Sequence, residues 1–171
     1  MWCSDRRGLL VLALAGGLAA CGFTPLYAPG GPAASMAGQV VVEPLDGTAG
    51  FALYERLTGR LGPPTAATHR LVVDLTLDQS GVALTQENFT TRFDVVGTAA
   101  FRLVPLNGGP PVVIDEVRSI TGYSAPISET SAAFASRAAE IDAERRLAQT
   151  LAEQIVQRLA LSAPEWAVTL P

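Results

Sequence analysis

"TTRFDVVGTAAFRLV", Thr90–Val104, alternates along its length. Thr91, Phe93, Val95, Ala99, Phe101 and Leu103 share one parity; Arg92, Asp94, Thr98 and Arg102 share the other. A period of two sends successive side chains to opposite faces of a strand, so one face is core and the other polar. A strand with one apolar face needs sheet partners, and its neighbours in sequence supply them. Upstream, Arg70–Asp78 sets Leu71, Val73, Leu75 and Leu77 against Arg70, Asp74, Thr76 and Asp78. Downstream, Leu106-Asn107-Gly108-Gly109 signals a hairpin, because Asn-Gly accepts positive φ at both turn positions. A further strand runs from Pro111 to about Tyr123. Its alternation is less clean, which predicts a bulge or a two-sided position.

Further out, "QVVVEPL" (Gln39–Leu45) is a β-branched run closed by Pro44. Gly47–Gly62 reads as a helix, with Phe51, Tyr54, Leu57 and Leu61 as its apolar positions and Gly62-Pro63-Pro64 as its stop. Ser131–Leu161 contains neither Gly nor Pro. Phe134, Ala138, Ile141, Ala148, Leu151, Ala152, Ile155 and Leu159 form its predicted stripe, while Glu140, Arg146, Glu153 and Gln157 lie off it. Arg145 falls inside the stripe, where its methylenes would run along the core edge. Pro164 should end the helix. The order β-α-β-β-β-α predicts an α+β two-layer sandwich: a four-stranded, mostly antiparallel or mixed sheet with two helices on one face.

Composition narrows function. The chain of 171 residues is 49% hydrophobic and 16% charged, enough for one domain with a real core. Its twelve basic residues are all Arg, and the net charge of −4 argues against a broad nucleic-acid footprint. Cys3 and Cys21 are the only cysteines and His69 the only histidine. A zinc site or a Ser-His-Asp triad is hard to build from that inventory, and no nucleotide loop or nucleophile elbow is present. Asp115 and Glu116, adjacent on a strand, point to opposite faces; Asp142 and Glu144, two apart on a helix, do not converge. His69 precedes a strand, where a solvated loop position is expected. The expectation is a protein that is not an enzyme and uses no cofactor or metal. Arg92 and Arg102 share the polar side of one strand, and Arg118 lies on the next. They read either as a solvated sheet face or as a phosphate-contacting one, since Arg forks match phosphate geometry.

The amino terminus speaks to location. Arg6 and Arg7 precede an apolar run, Leu9–Ala20, of twelve residues. A membrane-spanning helix needs roughly 20, so the run suits a signal-peptide core instead. It ends in Leu18-Ala19-Ala20-Cys21, which resembles the bacterial lipobox: cleavage between Ala20 and Cys21, with Cys21 carrying the lipid. More than one acyl chain makes such anchoring stable, at about 0.8 kcal/mol per buried methylene. Gly22 follows in place of the Asp that retains such proteins at the inner membrane, which leans toward the periplasmic face of the outer membrane. The expected organisation is a signal peptide (1–20), a lipidated Cys with a Gly/Pro-rich tether (21–38), a single periplasmic α+β domain (39–163) and a loose tail (164–171). Loss of residues 1–20 removes Asp5, Arg6 and Arg7, leaving ten Arg against fifteen acidic residues, a net −5.

Two stretches carry a family resemblance. The mature start, Cys21, Gly22, Phe23, Pro25, Leu26 and Tyr27, follows Cys-Gly-Phe-x-Pro-Leu-Tyr; "GYSAPISETSAAFASRAAEIDAERRLAQTLAEQIVQRLA" closes the chain with a Tyr-Ser start, a Ser-x-x-Phe-Ala step and a Leu-Ala-Glu-x-Ile run. Together with the lipobox and element order, these resemble the lipopolysaccharide-assembly lipoproteins of Gram-negative bacteria, in their alphaproteobacterial form. The resemblance implies an outer-membrane lipoprotein, held to the membrane by its lipid. Such a protein plugs a large β-barrel translocon, assists its assembly and binds lipopolysaccharide for delivery to the outer leaflet. No ligand-binding residue of the family can be placed on the middle of this chain, so Arg92, Arg102 and Arg118 stand on the residue reading alone. An auxiliary lipoprotein of a phospholipid-trafficking ABC system is the alternative, although its usual Tyr-Tyr-x-Leu lead is absent; a lipid-anchored hydrolase fits the inventory less well. Replacing Cys21 with Ser should abolish both acylation and cleavage after Ala20. Metabolic palmitate labelling is the check, and labelling that persists in the variant contradicts the assignment.

Overall fold

A computed structural model describes residues 31–84, 90–125 and 130–167. The chain forms a short turn of helix α1 (Pro32–Ser35), then β1 (Val40–Val42), α2 (Gly47–Leu61), β2 (His69–Leu84), β3 (Thr90–Pro105), β4 (Val113–Ser124) and α3 (Thr130–Trp166). The sheet order is β1-β2-β3-β4. β1 runs parallel to β2, which forces the α2 crossover between them, and β2, β3 and β4 form an antiparallel meander. The α+β arrangement read from the sequence, a mixed four-stranded sheet with its two long helices on one side, is the observed one.

The alternation of Thr90–Val104 sets the layers. Val95, Ala99, Phe101 and Leu103 are buried on the helix side, opposite Leu71 and Val73 on β2 and Val117 on β4. Gly97 shares that parity, and a Cβ there would lie 2.9 Å from Leu151 Cδ1 and 3.0 Å from Leu147 Cδ2. Glycine thus lets α3 settle closely on the middle of β3. Across the sheet, Thr98, Arg102 and their neighbours face away from the helices. β4 keeps an unbroken register with β3 from Leu103↔Val113 to Arg92↔Ser124, so its irregular pattern is not an internal bulge. Its helix-facing parity carries polar residues under the rim of α3: Asp115 meets Arg158 at 3.6 Å, and Arg146 reaches Thr121 at 3.4 Å.

Several elements differ from their sequence reading. β2 continues past Asp78 to Leu84, because pairing with β3 carries the backbone through "DQSG" although that segment lacks apolar alternation. Residues 78–82 are exposed on both faces, so the β2–β3 ribbon extends beyond the helices. In α2 the buried face is Ala49, Gly50, Ala52, Leu53, Leu57 and Leu61, and Phe51 turns outward at 62% exposure. Gly50 explains the rotation: a Cβ there would be 3.0 Å from Leu45 Cβ, so this face lies against the incoming chain. In α3 the first third of the expected stripe is not core. Phe134 is 79% exposed, Ala138 is exposed, Ile141 is half-buried, and Arg145 points outward to Asp142. The seam is Ala143, Leu147, Ala148, Leu151, Ala152, Ile155, Val156, Leu159, Ala160 and Ala163. The helix of 37 residues is about 55 Å long, and its start overhangs the packed region.

Helix α3 also does not stop at Pro164, which sits exposed inside its last turn. Trp166 holds that turn down. Its indole N–H donates to Ser162 Oγ at 3.1 Å, and its ring meets His69 edge-on at 5.2 Å. His69 is therefore a buried residue opening β2 rather than a solvated one. Thr68 Oγ1 lies 2.9 Å from its Nδ1 and 3.3 Å from Gln39 Oε1, and the buried Gln39 donates to the Ser35 carbonyl at 2.6 Å. Met36, in the segment read as tether, is buried in the same core. The Asn107 turn uses positive φ at Gly108 and Gly109.

Two outcomes follow from this packing. Leu151→Ala should cost about 2–5 kcal/mol, whereas Phe134→Ala should stay within about 0.5 kcal/mol; equal shifts in denaturant midpoint would mean that the seam has the wrong phase. Burial also holds the His69 pKa below its usual 6.5. The folded chain thus binds fewer protons than the unfolded one as pH falls through that value, and stability present above it is lost toward the lower folded-state pKa. Thermal midpoints should fall as the pH is lowered below the ordinary histidine value, and His69→Phe should flatten that slope.

Candidate functional site

The open face of the sheet gathers the arginines singled out by the sequence. Arg92, Arg102 and Arg118 all project from the side away from the helices, as the register requires: Arg102 lies between Val72 and Ile114, and Arg118 stands opposite Thr98. They share a face but do not converge. Ten positions of β3 separate Arg92 from Arg102, about 33 Å, with Arg118 beside the strand between them. Arg102 lies 3.6 Å from Asp74 on β2, with both side chains half or more exposed. Arg70, near the same edge, meets Glu43 at 3.5 Å. Acidic Asp74, Asp78, Asp94 and Glu116 share this face, as do the apolar Val72, Val96, Val104, Ile114 and Ile120. Ile114 and Ile120 are 75% and 61% exposed. The face is thus a broad mixture of guanidinium, carboxylate and aliphatic groups, suited to a large amphipathic surface rather than to a small molecule.

On the helix side, one of several grooves, of about 510 Å³, lies between the outer part of β4 and the helices. Ser119, Thr121, Arg146, Thr150, Glu153 and Arg56 contribute to it. Its arginines are committed to ion pairs. Arg56 Nη2 lies 2.5 Å and Arg60 Nε 3.2 Å from the Glu153 carboxylate, which ties α2 to α3. Arg146 Nε lies 2.9 Å from Asp142, and hydrogen bonds from Arg145 and Arg146 hold the Asp142 carboxyl below its usual range. Where β3 begins and β4 ends, Phe93 stacks on Tyr123 with ring centroids 5.2 Å apart, and Gln79 donates to the Tyr123 hydroxyl. Burial, with the Glu140 charge adding to it, pushes that phenol's pKa up.

Among the described residues no three His, Cys, Asp or Glu side chains are placed to hold a metal. Asp115 and Glu116 do lie on opposite faces, and His69 is engaged by Thr68 and Trp166. No described helix is long and apolar enough to cross a membrane. Ala20 and Cys21, the expected cleavage and lipidation site, lie outside the described residues, as do Phe23–Tyr27. Sequence reasoning passed over the aliphatic component of the open face; Ile114 and Ile120, on the same strand and of the same parity as Arg118, carry the signal that could have found it.

The fold is shared with solved structures. A protein of Caulobacter crescentus CB15 superposes with a TM-score of 0.60 at 20% identity, covering 80% of this chain and all of its own. The rare lipoprotein B of Shewanella oneidensis gives 0.54 at 13% identity, covering 74% of this chain and 96% of its own. A minor lipoprotein of Acinetobacter baumannii gives 0.51 at 13%, covering 72% and 89%. No curated protein matches the chain significantly in sequence. The profile of the lipopolysaccharide-assembly (LptE) family matches residues 37–159, from the start of the core through all four strands and most of α3, and the chain belongs to that family.

Proposed function

We propose that this chain is a lipoprotein of the outer membrane, anchored through Cys21 and facing the periplasm, that works in the lipopolysaccharide translocon. In this reading it occupies the lumen of a large β-barrel partner, assists the barrel's assembly, and binds lipopolysaccharide on its way to the outer leaflet. It performs no bond chemistry. The family match over residues 37–159 carries the proposal. The open sheet face supports the ligand part, because lipopolysaccharide combines phosphates and sugars with acyl chains. Arg92 and Arg102 would supply charge-assisted bonds, worth about 1.5–3 kcal/mol each when desolvated, and the valines and isoleucines between them apolar contact.

The test has two arms. The full chain isolated from outer membranes should bring with it a large β-barrel protein in stoichiometric amount; recovery of an ABC transporter component instead would favour phospholipid trafficking. Purified full chain should bind lipopolysaccharide in a salt-sensitive manner. Arg92→Glu combined with Arg102→Glu should weaken that binding at least about tenfold with the fold intact. Unchanged affinity would return both residues to the solvated surface.

A further inference from the structure

We propose that the outer edge of β1 is a docking site for the chain's own amino-terminal stretch, Phe23–Tyr27, which adds to it as an antiparallel strand in the groove beside α2. The inference rests on the fold and is independent of the translocon reading. β1 is the outermost strand on its side of the sheet. Its bonding parity is fixed. The Gln39 carbonyl accepts from His69 N–H at 3.1 Å, and Glu43 N–H donates to the Leu71 carbonyl at 2.9 Å, so odd-numbered residues face β2. The N–H and C=O groups of Val40 and Val42 therefore point outward. No described group bonds them. Yet Val40 is only 2% exposed and Val42 6%. Backbone groups so shielded from water are nearly always paired, so this edge lacks the partner that its burial demands.

Beside the edge runs a groove of about 510 Å³, walled by Tyr54, Thr58 and Gly59 of α2 and bounded by Pro63 and Pro64. A Cβ built on Gly59 meets nothing within 4 Å, so the trough has room for a side chain. A row of backbone donors and acceptors along an apolar trough takes an extended chain, with alternate side chains entering the trough. The amino-terminal stretch reaches it. Gly38 donates to the Leu61 carbonyl at 3.1 Å and accepts from Ala66 N–H at 3.0 Å, so the incoming chain passes the Pro63-Pro64 end of the groove. Only residues 28–30 lie between Tyr27 and Gly31, which leads into α1. That is too short for the return run that a parallel strand needs, so the added strand is antiparallel.

Pro25 sets its parity. Lacking an N–H, proline is tolerated on an edge strand only where its nitrogen faces away from the neighbour. Thr24 and Leu26 then bond to β1, opposite residues of the Val40 and Val42 parity, and share their helix-side face. Leu26 enters the trough, and Phe23 and Tyr27 lie on the open side with Val41. These assignments hold in every register that keeps the Pro25 nitrogen off β1. Where Cys21 carries the lipid, the docked stretch is a strap that holds the anchor at the β1 side of the domain.

Amide hydrogen exchange on the purified full chain in detergent tests the docking, whether or not the chain is acylated. The Val40 and Val42 amides should exchange at least about a hundredfold more slowly than in an unstructured chain. Thr24→Pro removes a donor aimed at β1 and should speed both amides at least about tenfold, with the amides of β3 unchanged. Leu26→Asp, which puts a charge into the trough, should do the same. Phe23→Pro has the parity of Pro25 and should leave both amides protected. Fast exchange at Val40 and Val42 in the parent overturns the proposal. So does protection that survives Thr24→Pro and Leu26→Asp, or a loss as large in Phe23→Pro as in Thr24→Pro.

Discussion

The structure depends on how closely α3 can lie on β3. A strand needs a side chain on each face at every second position, yet at Gly97 the helix-facing side is empty, and Leu147 and Leu151 fill the space. Ala99 continues that shallow track, and Ala143, Ala148 and Ala152 supply small residues beside the leucines on the helix. Small-on-large packing from both sides brings the layers together over the centre of the sheet. Everything else is placed relative to that seam. α2 packs against α3 and is tied to it by Arg56 and Arg60 on Glu153, β1 leads into α2 and pairs with β2, and the last turn of α3 closes over His69 through Trp166.

Sealing one face so fully leaves the other without cover. The open face contains basic, acidic and aliphatic groups in a pattern that neither excludes water nor concentrates one charge. That suits a surface that meets something large and amphipathic, in keeping with membership of the lipopolysaccharide-assembly family. Elsewhere the polar groups are engaged: Asp142 by Arg145 and Arg146, and the His69 imidazole by Thr68 and the Trp166 indole.

Much of this was legible because strand parity is a strict code. Phe93, Val95, Ala99, Phe101 and Leu103 announce the core face, and the hairpin glycines and helix stops announce the order of elements. Helix phase was less legible. Phe51 and Phe134 are large and apolar, so periodicity assigned them inward, but burial depends on where the neighbouring layer ends. The close approach at Gly50 rotated α2, and the start of α3 overhangs its support. Pro164 reads as a stop because it removes a donor, yet one lost bond in a final turn is outweighed when Trp166 is anchored beyond it. Of the candidate site, the common face of Arg92, Arg102 and Arg118 followed from parity and pairing. The ten positions between Arg92 and Arg102 on one strand already set them far apart; where Arg118 falls between them was not legible, because it depends on the register of β4 against β3.

A pair of substitutions on adjacent residues probes how closely α3 is seated on β3. Gly97→Val places bulk under Leu147 and Leu151, while Thr98→Val makes a similar β-branched residue on the open face. Intrinsic strand preference alone favours valine over glycine at 97, by up to about 1 kcal/mol, and is close to neutral between threonine and valine at 98. Overpacking at the seam should cost about 1–3 kcal/mol and reverse that sign at Gly97 only. Chemical denaturation of the two variants should therefore show a lowered midpoint for Gly97→Val and an unchanged or raised one for Thr98→Val. A Gly97→Val chain as stable as the parent would contradict the close seating of the helix on the sheet.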